Sequence, residues 1–225
     1  MTSKNFRFAT ATLILACCEA SAMLSTASHP DFGVGSITSD SAQGLYWLSP
    51  SFTNGLSYNE ITRLLLDDAR FHGFRLANQS ELKKLYEQAN ISDINQPGYG
   101  ALYGTQSNVP GVQKLQSLVG VTYSIQVSGQ ILSETAGYVG SSFISSVNGL
   151  PSITIGNLVL RTNVPTASGL QSFASAYTEW GSVPVGSKNI GVGVWLVSSV
   201  PEPSAIALTC GGLLLLLLRR PREGD

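Results

Sequence analysis

Residues 44–89 read GLYWLSPSFTNGLSYNEITRLLLDDARFHGFRLANQSELKKLYEQA and carry the firmest structural signals in the chain. Leu45–Leu48 alternate as a short strand with Tyr46 and Trp47 as anchors. Ser57-Tyr58-Asn59-Glu60 then spells a capping box, in which the serine oxygen accepts from the N3 amide and the glutamate reaches back. The helix it opens puts Ile61, Leu64, Leu65 and Ala69 on one stripe, and Gly73 is expected to end it. Asn78-Gln79-Ser80-Glu81 opens a second helix by the same logic, with asparagine as the cap. Its apolar positions Leu82, Leu85, Tyr86 and Ala89 fall at i, i+3, i+4 and i+7. Gln88 lies off that stripe, so alanine there is expected to cost no more than about 0.5 kcal/mol. Arg75, just ahead of the second helix, is positioned to be its ion-pair partner.

Downstream of residue 97 the period changes from helical to alternating. LVGVTYSIQV puts Val119, Val121, Tyr123, Ile125 and Val127 on one face, the pattern of a half-buried strand. Residues 128–130 read as a turn, and Ile131–Tyr138 as an antiparallel return. SITIGNLVLRT suggests two short strands joined by a hairpin at Gly156-Asn157. Residues 172–178 alternate weakly, and Ile190, Val192, Val194 and Leu196 alternate cleanly. The Gly- and Ser-rich stretches 95–111 and 181–188 read as loops. The expected fold is α+β, two short amphipathic helices packed on mostly antiparallel strands, in one domain spanning 23–199.

Outward from that domain, composition sets limits. The 225 residues carry 13 Lys and Arg against 14 Asp and Glu, a net charge of −1, which leaves no basic surface for a phosphate backbone. Nucleic acid is therefore excluded as a partner. Lys4 and Arg7 precede an uncharged apolar stretch, Phe8–Cys18, and Ala20-Ser21-Ala22 supplies the small-x-small pattern of signal peptidase. Residues 1–22 are expected to be a cleaved signal peptide. Of the chain's 3 cysteines, Cys17 and Cys18 fall in that segment and Cys210 near the other terminus. Residues 23–199 thus contain no disulfide, no thiolate metal site and no cysteine nucleophile, and no cofactor is expected.

The last residues, VPEPSAIALTCGGLLLLLLRRPREGD, pose a separate problem. Ser204–Leu218 is apolar but spans only ~22 Å as a helix, against ~30 Å of hydrocarbon. Arg219, Arg220 and Arg222 behind it form a cytoplasmic stop under the positive-inside rule. Motif, short apolar helix and basic tip, together at 200–225, resemble the PEP-CTERM sorting signal of Gram-negative bacteria. The resemblance implies that Val200, Pro201, Glu202, Pro203 and Ser204 are recognised by an exosortase-type processing enzyme. It also implies an intermediate held in the inner membrane, a final place at the cell surface or in the matrix, and an association with exopolysaccharide and biofilm. The prolines flanking Glu202 suit that role, since they forbid a regular helix and hold an extended peptide.

A second resemblance rests on GLYWL, the Ser-Tyr-Asn-Glu helix start, GFRLANQSEL and the closing VWLVSS. These are similar to a lectin-like domain family of exported bacterial proteins, related in fold to the C-type lectins. The resemblance implies a C-type-lectin-like arrangement. Calcium-dependent sugar binding is not carried with it, because the cysteines and the Glu-Pro-Asn or Gln-Pro-Asp triplets are missing from 23–199.

No catalytic constellation stands out. His29 sits beside Pro30 near the expected mature terminus, where disorder is expected, and His72 reads as a cation at a helix C-terminus. Asp67 and Asp68 are adjacent on a helix and do not converge, while Glu134 and Glu179 are isolated and leave a glycosidase-type pair open. Trp47, Trp180 and Trp195 are candidates to stack on sugars, against the commoner role of strand tryptophans in a core. Two function classes follow: a non-enzymatic surface or matrix protein defined by its sorting signal, or a polysaccharide-binding module or hydrolase bearing the same signal.

Overall fold

A computed structural model describes residues 23–95, 104–145 and 149–200, apart from the side chains of Ser141 and Trp180. The expected signal peptide at 1–22 and everything from Pro201 onward, including the apolar run at 204–218, lie outside the described residues. Among the described residues, no helix is long and apolar enough to cross a membrane.

The described residues are mixed α and β, mostly antiparallel, with three α-helices among them: α1 (Tyr58–Asp67), α2 (Gln79–Gln88) and α3 (Val109–Val119). One sheet has the order β1 (Leu24–His29), β2 (Gly33–Asp40), β3 (Leu45–Leu48), β10 (Leu196–Ser199), β4 (Arg75–Leu76), every neighbouring pair antiparallel. The other runs β5 (Tyr123–Val127), β6 (Gln130–Ile144), β7 (Pro151–Thr166), β8 (Gly169–Pro184). A short strand, β9 (Val192–Val194), lies parallel to β6 at Ala136–Tyr138.

Both capping boxes form as expected. Ser57 Oγ accepts from Glu60 N at 3.3 Å while Glu60 Oε2 accepts from Ser57 N at 2.9 Å. Asn78 Oδ1 accepts from Glu81 N at 2.9 Å, and Glu81 Oε2 accepts from Asn78 N at 2.8 Å. Glu60 also meets Lys188 at 2.6 Å, and that contact, followed by the Ser57 amide and hydroxyl, holds its carboxyl down to about 2. The expected pairing of Arg75 with the second helix is present, Nη2 lying 2.6 Å from Glu81 Oε1. The stripe of α2 is fully buried: Leu82, Leu85 and Tyr86 are each at 0% exposure. Helix α1 is shorter than its stripe suggested. Asp68 Oδ1 accepts from Arg70 N at 3.0 Å and starts a 3-10 turn over Ala69–Phe71, so Ala69 is exposed and Gly73 follows that turn.

Five expectations are overturned. The stretch taken as loop to residue 111 contains the start of α3, with Pro110 in its first turn and Val112, Leu115, Gln116 and Val119 buried at helical spacing. Val119 therefore ends a helix rather than beginning a strand. Gly120, at φ +84°, breaks the alternating pattern there, and β5 is exposed at every residue instead of half-buried. Gly156 and Asn157 lie inside the continuous strand β7, not at a hairpin. The glycine is there for space, because a Cβ would run into Leu82 Cδ2. Residues 181–184 extend β8 rather than forming a loop, and the last alternating run divides at Trp195 into β9 and β10.

The core has two parts. One lies under α2 and α3 and contains Trp47, Leu85, Tyr86, Leu115, Leu158 and Trp195. The other lies beneath α1 and contains Ile37, Leu48, Ile61, Tyr138, Ile153 and Leu196. Trp195 joins them. Its amide donates to Tyr138 O at 3.1 Å, its carbonyl accepts from Ala77 N at 2.8 Å, and its Nε1–H donates to Gly156 O at 3.0 Å.

Leu85→Ala is expected to cost ~2–5 kcal/mol, as a large-to-small change in a filled site. Gln88, in contrast to the expectation from its position off the stripe, donates through Nε2 to Asp40 Oδ2 at 3.1 Å, and Asp40 is at 0% exposure. Its loss removes one of three donors to a buried carboxylate, the others being Gln43 N at 3.0 Å and Gln43 Nε2 at 2.7 Å. Gln88→Ala is expected to cost ~1–3 kcal/mol, and urea titration of both variants gives the comparison.

Candidate functional site

The turn between β1 and β2 is built around Phe32. Its ring lies 5.1 Å from the rings of His29, Phe52 and Phe71 and 6.2 Å from that of Phe74. This aromatic cluster fixes His29, which ends β1 opposite Gly33 and lies 5.6 Å from Phe74. Its Nδ1 accepts from Asp31 N at 3.2 Å. His29 thus belongs to a paired strand and not to a disordered terminus. His72 follows the 3-10 turn, its amide donating to Ala69 O at 3.1 Å, rather than sitting at the end of an α-helix.

These two, the only histidines of the chain, line one cleft of about 600 Å³. Its floor is the face of the first sheet. Tyr46 on β3 stands opposite Ser198 on β10, with Ile37 on β2 beside them. Phe74, Pro30, Ser28 and Ser199 complete the walls. No lysine, arginine, aspartate or glutamate lines it. Among the described residues, the side chains of Tyr46, His72, Ser198 and Ser199 make no hydrogen bond within the chain. The cleft therefore offers apolar ring faces beside several unengaged hydroxyl and imidazole groups. Such a surface can pack against a neutral ring and hydrogen-bond its substituents. Linear spacing gave no sign of it, because topology alone brings His29 and His72 to one cleft.

Other clefts differ in chemistry. One of about 790 Å³ beside α2 is lined by Arg75, Glu81, Lys84 and Glu87, of which Arg75 and Glu81 pair with each other. Another of about 630 Å³, at the start of α2, is lined by Ser80, Thr154 and Glu179. Glu134 lines a third, of about 280 Å³, with Tyr123 and Asn189. Glu134 and Glu179 therefore occupy separate clefts and do not form a facing pair of carboxyls. Asp68 is engaged with Arg70 at 2.6 Å, and among the described residues no group of three His, Cys, Asp or Glu is placed to hold a metal ion.

Trp47 and Trp195 are both at 0% exposure, with rings 6.1 Å apart in an edge-on pair. Neither has a face to offer a sugar, so their candidacy for stacking is withdrawn in favour of the core. Trp180 lies on β8, with its side chain outside the description. Of the residues expected to form a sorting motif, Val200 is described, and its amide donates to Gly44 O at 2.9 Å. Pro201, Glu202, Pro203, Ser204, Arg219, Arg220 and Arg222, like Ala20 and Ala22, lie outside the described residues. The sequence matches no family model, and no curated protein or solved structure is significantly similar to it.

Glu134 is set apart by its electrostatics. Burial pushes its carboxyl up, against smaller opposing effects from Asn157, whose Nδ2 donates to Oε1 at 2.8 Å, and from Arg161. A carboxyl raised on folding favours the protonated native state. Its penalty is absent below its unfolded value and grows as pH rises through the folded one. Glu134→Gln, which keeps an acceptor for Asn157, is expected to raise stability at pH 7 and to lose that advantage near pH 4. Thermal melts of both proteins across that range measure the difference.

Proposed function

We propose that this chain is an exported, non-enzymatic protein of the cell surface or extracellular matrix, which holds neutral polysaccharide in the cleft between His29 and His72. The observation that carries the second half is the lining of that cleft, aromatic and aliphatic faces with the unengaged hydroxyls of Tyr46, Ser198 and Ser199, the unengaged imidazole of His72, and no lysine, arginine, aspartate or glutamate. A pyranose has the matching chemistry, a face of C–H groups rimmed by hydroxyls. The likeness of residues 44–89 to a lectin-like family points the same way, and with it a C-type-lectin-like arrangement of the fold. A ligand bearing phosphate or carboxylate finds no cationic partner in this lining.

The first half rests on the terminal signals. The folded domain closes its sheet with β10, which ends at Ser199, and Val200 is the last described residue. The PEP-CTERM-like motif begins there. In this reading an exosortase-type enzyme takes the motif as an extended peptide, and the short apolar helix pauses in the inner membrane. A mismatch of about 8 Å, costing a fraction of a kcal/mol per ångström, is tolerable in such an intermediate.

Two measurements test the proposal separately. With Pro201, Glu202 and Pro203 changed to alanine, signal-peptide cleavage is expected to continue while uncut precursor collects in the inner membrane. Peptides running from Leu218 to Asp225 in the mature surface form, seen by mass spectrometry, would refute sorting. For the cleft, calorimetry with neutral oligosaccharides is expected to show binding that His72→Ala weakens about tenfold or more, a change of about 1.4 kcal/mol. Binding undiminished in that variant would move the ligand elsewhere.

A further inference from the structure

The outer edge of β5 is open. Among the described residues, no strand pairs with it, whereas the opposite edge of the sheet is covered: Ala174 and Ala176 on β8 bridge to Thr105 and Ile94. Edges of this kind are ordinarily blunted by lysine, proline, a bulge or a covering element. Strand β5 reads Tyr-Ser-Ile-Gln-Val, without charge or proline, and its register against β6 is unbroken. Its apolar residues are exposed: Tyr123 at 36%, Ile125 at 39% and Val127 at 57%.

The turn decides which backbone groups face outward. Ser128 and Gly129, at φ +50° and +81°, form a two-residue loop with both central residues left-handed, as a type I′ hairpin requires. Val127 and Gln130 are then the hydrogen-bonded closing pair, so Val127, Ile125 and Tyr123 direct their amides and carbonyls toward β6. Ser124 and Gln126 direct theirs to the open side.

We infer that this edge pairs with the same edge of a second copy of the chain, antiparallel, about a two-fold axis at Ile125. The sequence is self-complementary about that point. Ile125 meets its own copy, Ser124 meets Gln126, and Tyr123 meets Val127. Ser124 and Gln126 are the residues whose outward amides and carbonyls such a pair needs, giving four inter-chain hydrogen bonds. On one face Tyr123, Ile125 and Val127 of both copies join in an apolar strip, with aromatic set against β-branched. Two identical strands carry identical charges, so an uncharged edge suits self-pairing better than it suits a charged partner. The pairing continues the sheet across both molecules. It goes beyond the saccharide proposal and does not depend on it, although two clefts on one particle would raise avidity for a polymer.

Sedimentation velocity of the full-length chain in detergent, from about 1 to 100 μM, tests it. The expected result is a monomer–dimer equilibrium in which Ile125→Lys and Gln126→Pro each shift the midpoint at least tenfold toward monomer. Circular dichroism confirms that each variant is folded, and the exposed position of Ile125 keeps the lysine variant informative if the proline variant fails. In a background with Cys17, Cys18 and Cys210 changed to serine, Ile125→Cys is expected to self-crosslink under mild oxidation, since opposed side chains on paired strands lie within disulfide reach. Ser124→Cys, which opposes Gln126, is expected to crosslink far less. A monomer throughout the range, a dimer indifferent to both edge variants (as association through the apolar tail would give), or equal crosslinking at 124 and 125 would overturn the inference.

Discussion

Trp195 is the joint on which both sheets depend. It sits between β9 and β10, at 0% exposure, and every polar group it carries is used across an element boundary. The backbone amide reaches β6 at Tyr138, the carbonyl takes the amide of Ala77 just past β4, and the indole N–H closes on Gly156 of β7. Its ring is edge-on to Trp47 at 6.1 Å and to Tyr86 at 6.3 Å, tying β3 and α2 to the same point. Two glycines make room for it and for α2. A Cβ on Gly137 would stand 3.0 Å from Trp195 Cδ1, and one on Gly156 would collide with Leu82. Glycine at these positions lets the large ring and α2 approach the sheet closely.

That constraint explains which features were legible in the sequence and which were not. The two capped helices and the Arg75–Glu81 pair follow from local rules, since caps and i, i+4 spacing act within a few residues. The turn expected at 128–130, which the structure confines to 128–129, and the return of β6 were legible for the same reason. Gly156-Asn157 misled because a glycine required by packing and a glycine required by a turn look alike in one dimension. Asn157 is buried at 0% and donates to Glu134, a long-range reason with no local mark. The third helix did carry signals, Pro110 and the spacing Val112, Leu115, Gln116, Val119. The alternating run that follows Gly120 overlapped it and took Val119 with it. Trp195, Leu196 and Val197 are all at 0% exposure, and that continuous apolar run likewise hid the break between β9 and β10.

The site has the same origin. His29 and His72 were each assigned a bland role from their neighbours in sequence, and nothing in the spacing joins them. The first sheet places β10, the last strand, between β3 and β4, so Tyr46 and Ser198 become opposite partners. The Phe32 cluster then clamps the β1–β2 turn against Phe71 and Phe74. Trp47 and Trp195, which composition alone would offer to a sugar, serve to hold these layers together. The cleft itself is lined by His29, His72, Tyr46, Phe74 and serines instead.

Native-state hydrogen exchange on Trp195→Phe, which removes the indole N–H bond to Gly156 and shrinks the ring, tests the central claim most directly. If Trp195 couples the two sheets, amides of β2 and β3 and amides of β6, β7 and β8 lose protection by the same factor, because they open in one cooperative unit. Loss confined to one sheet, with the other at its original protection, would contradict the account.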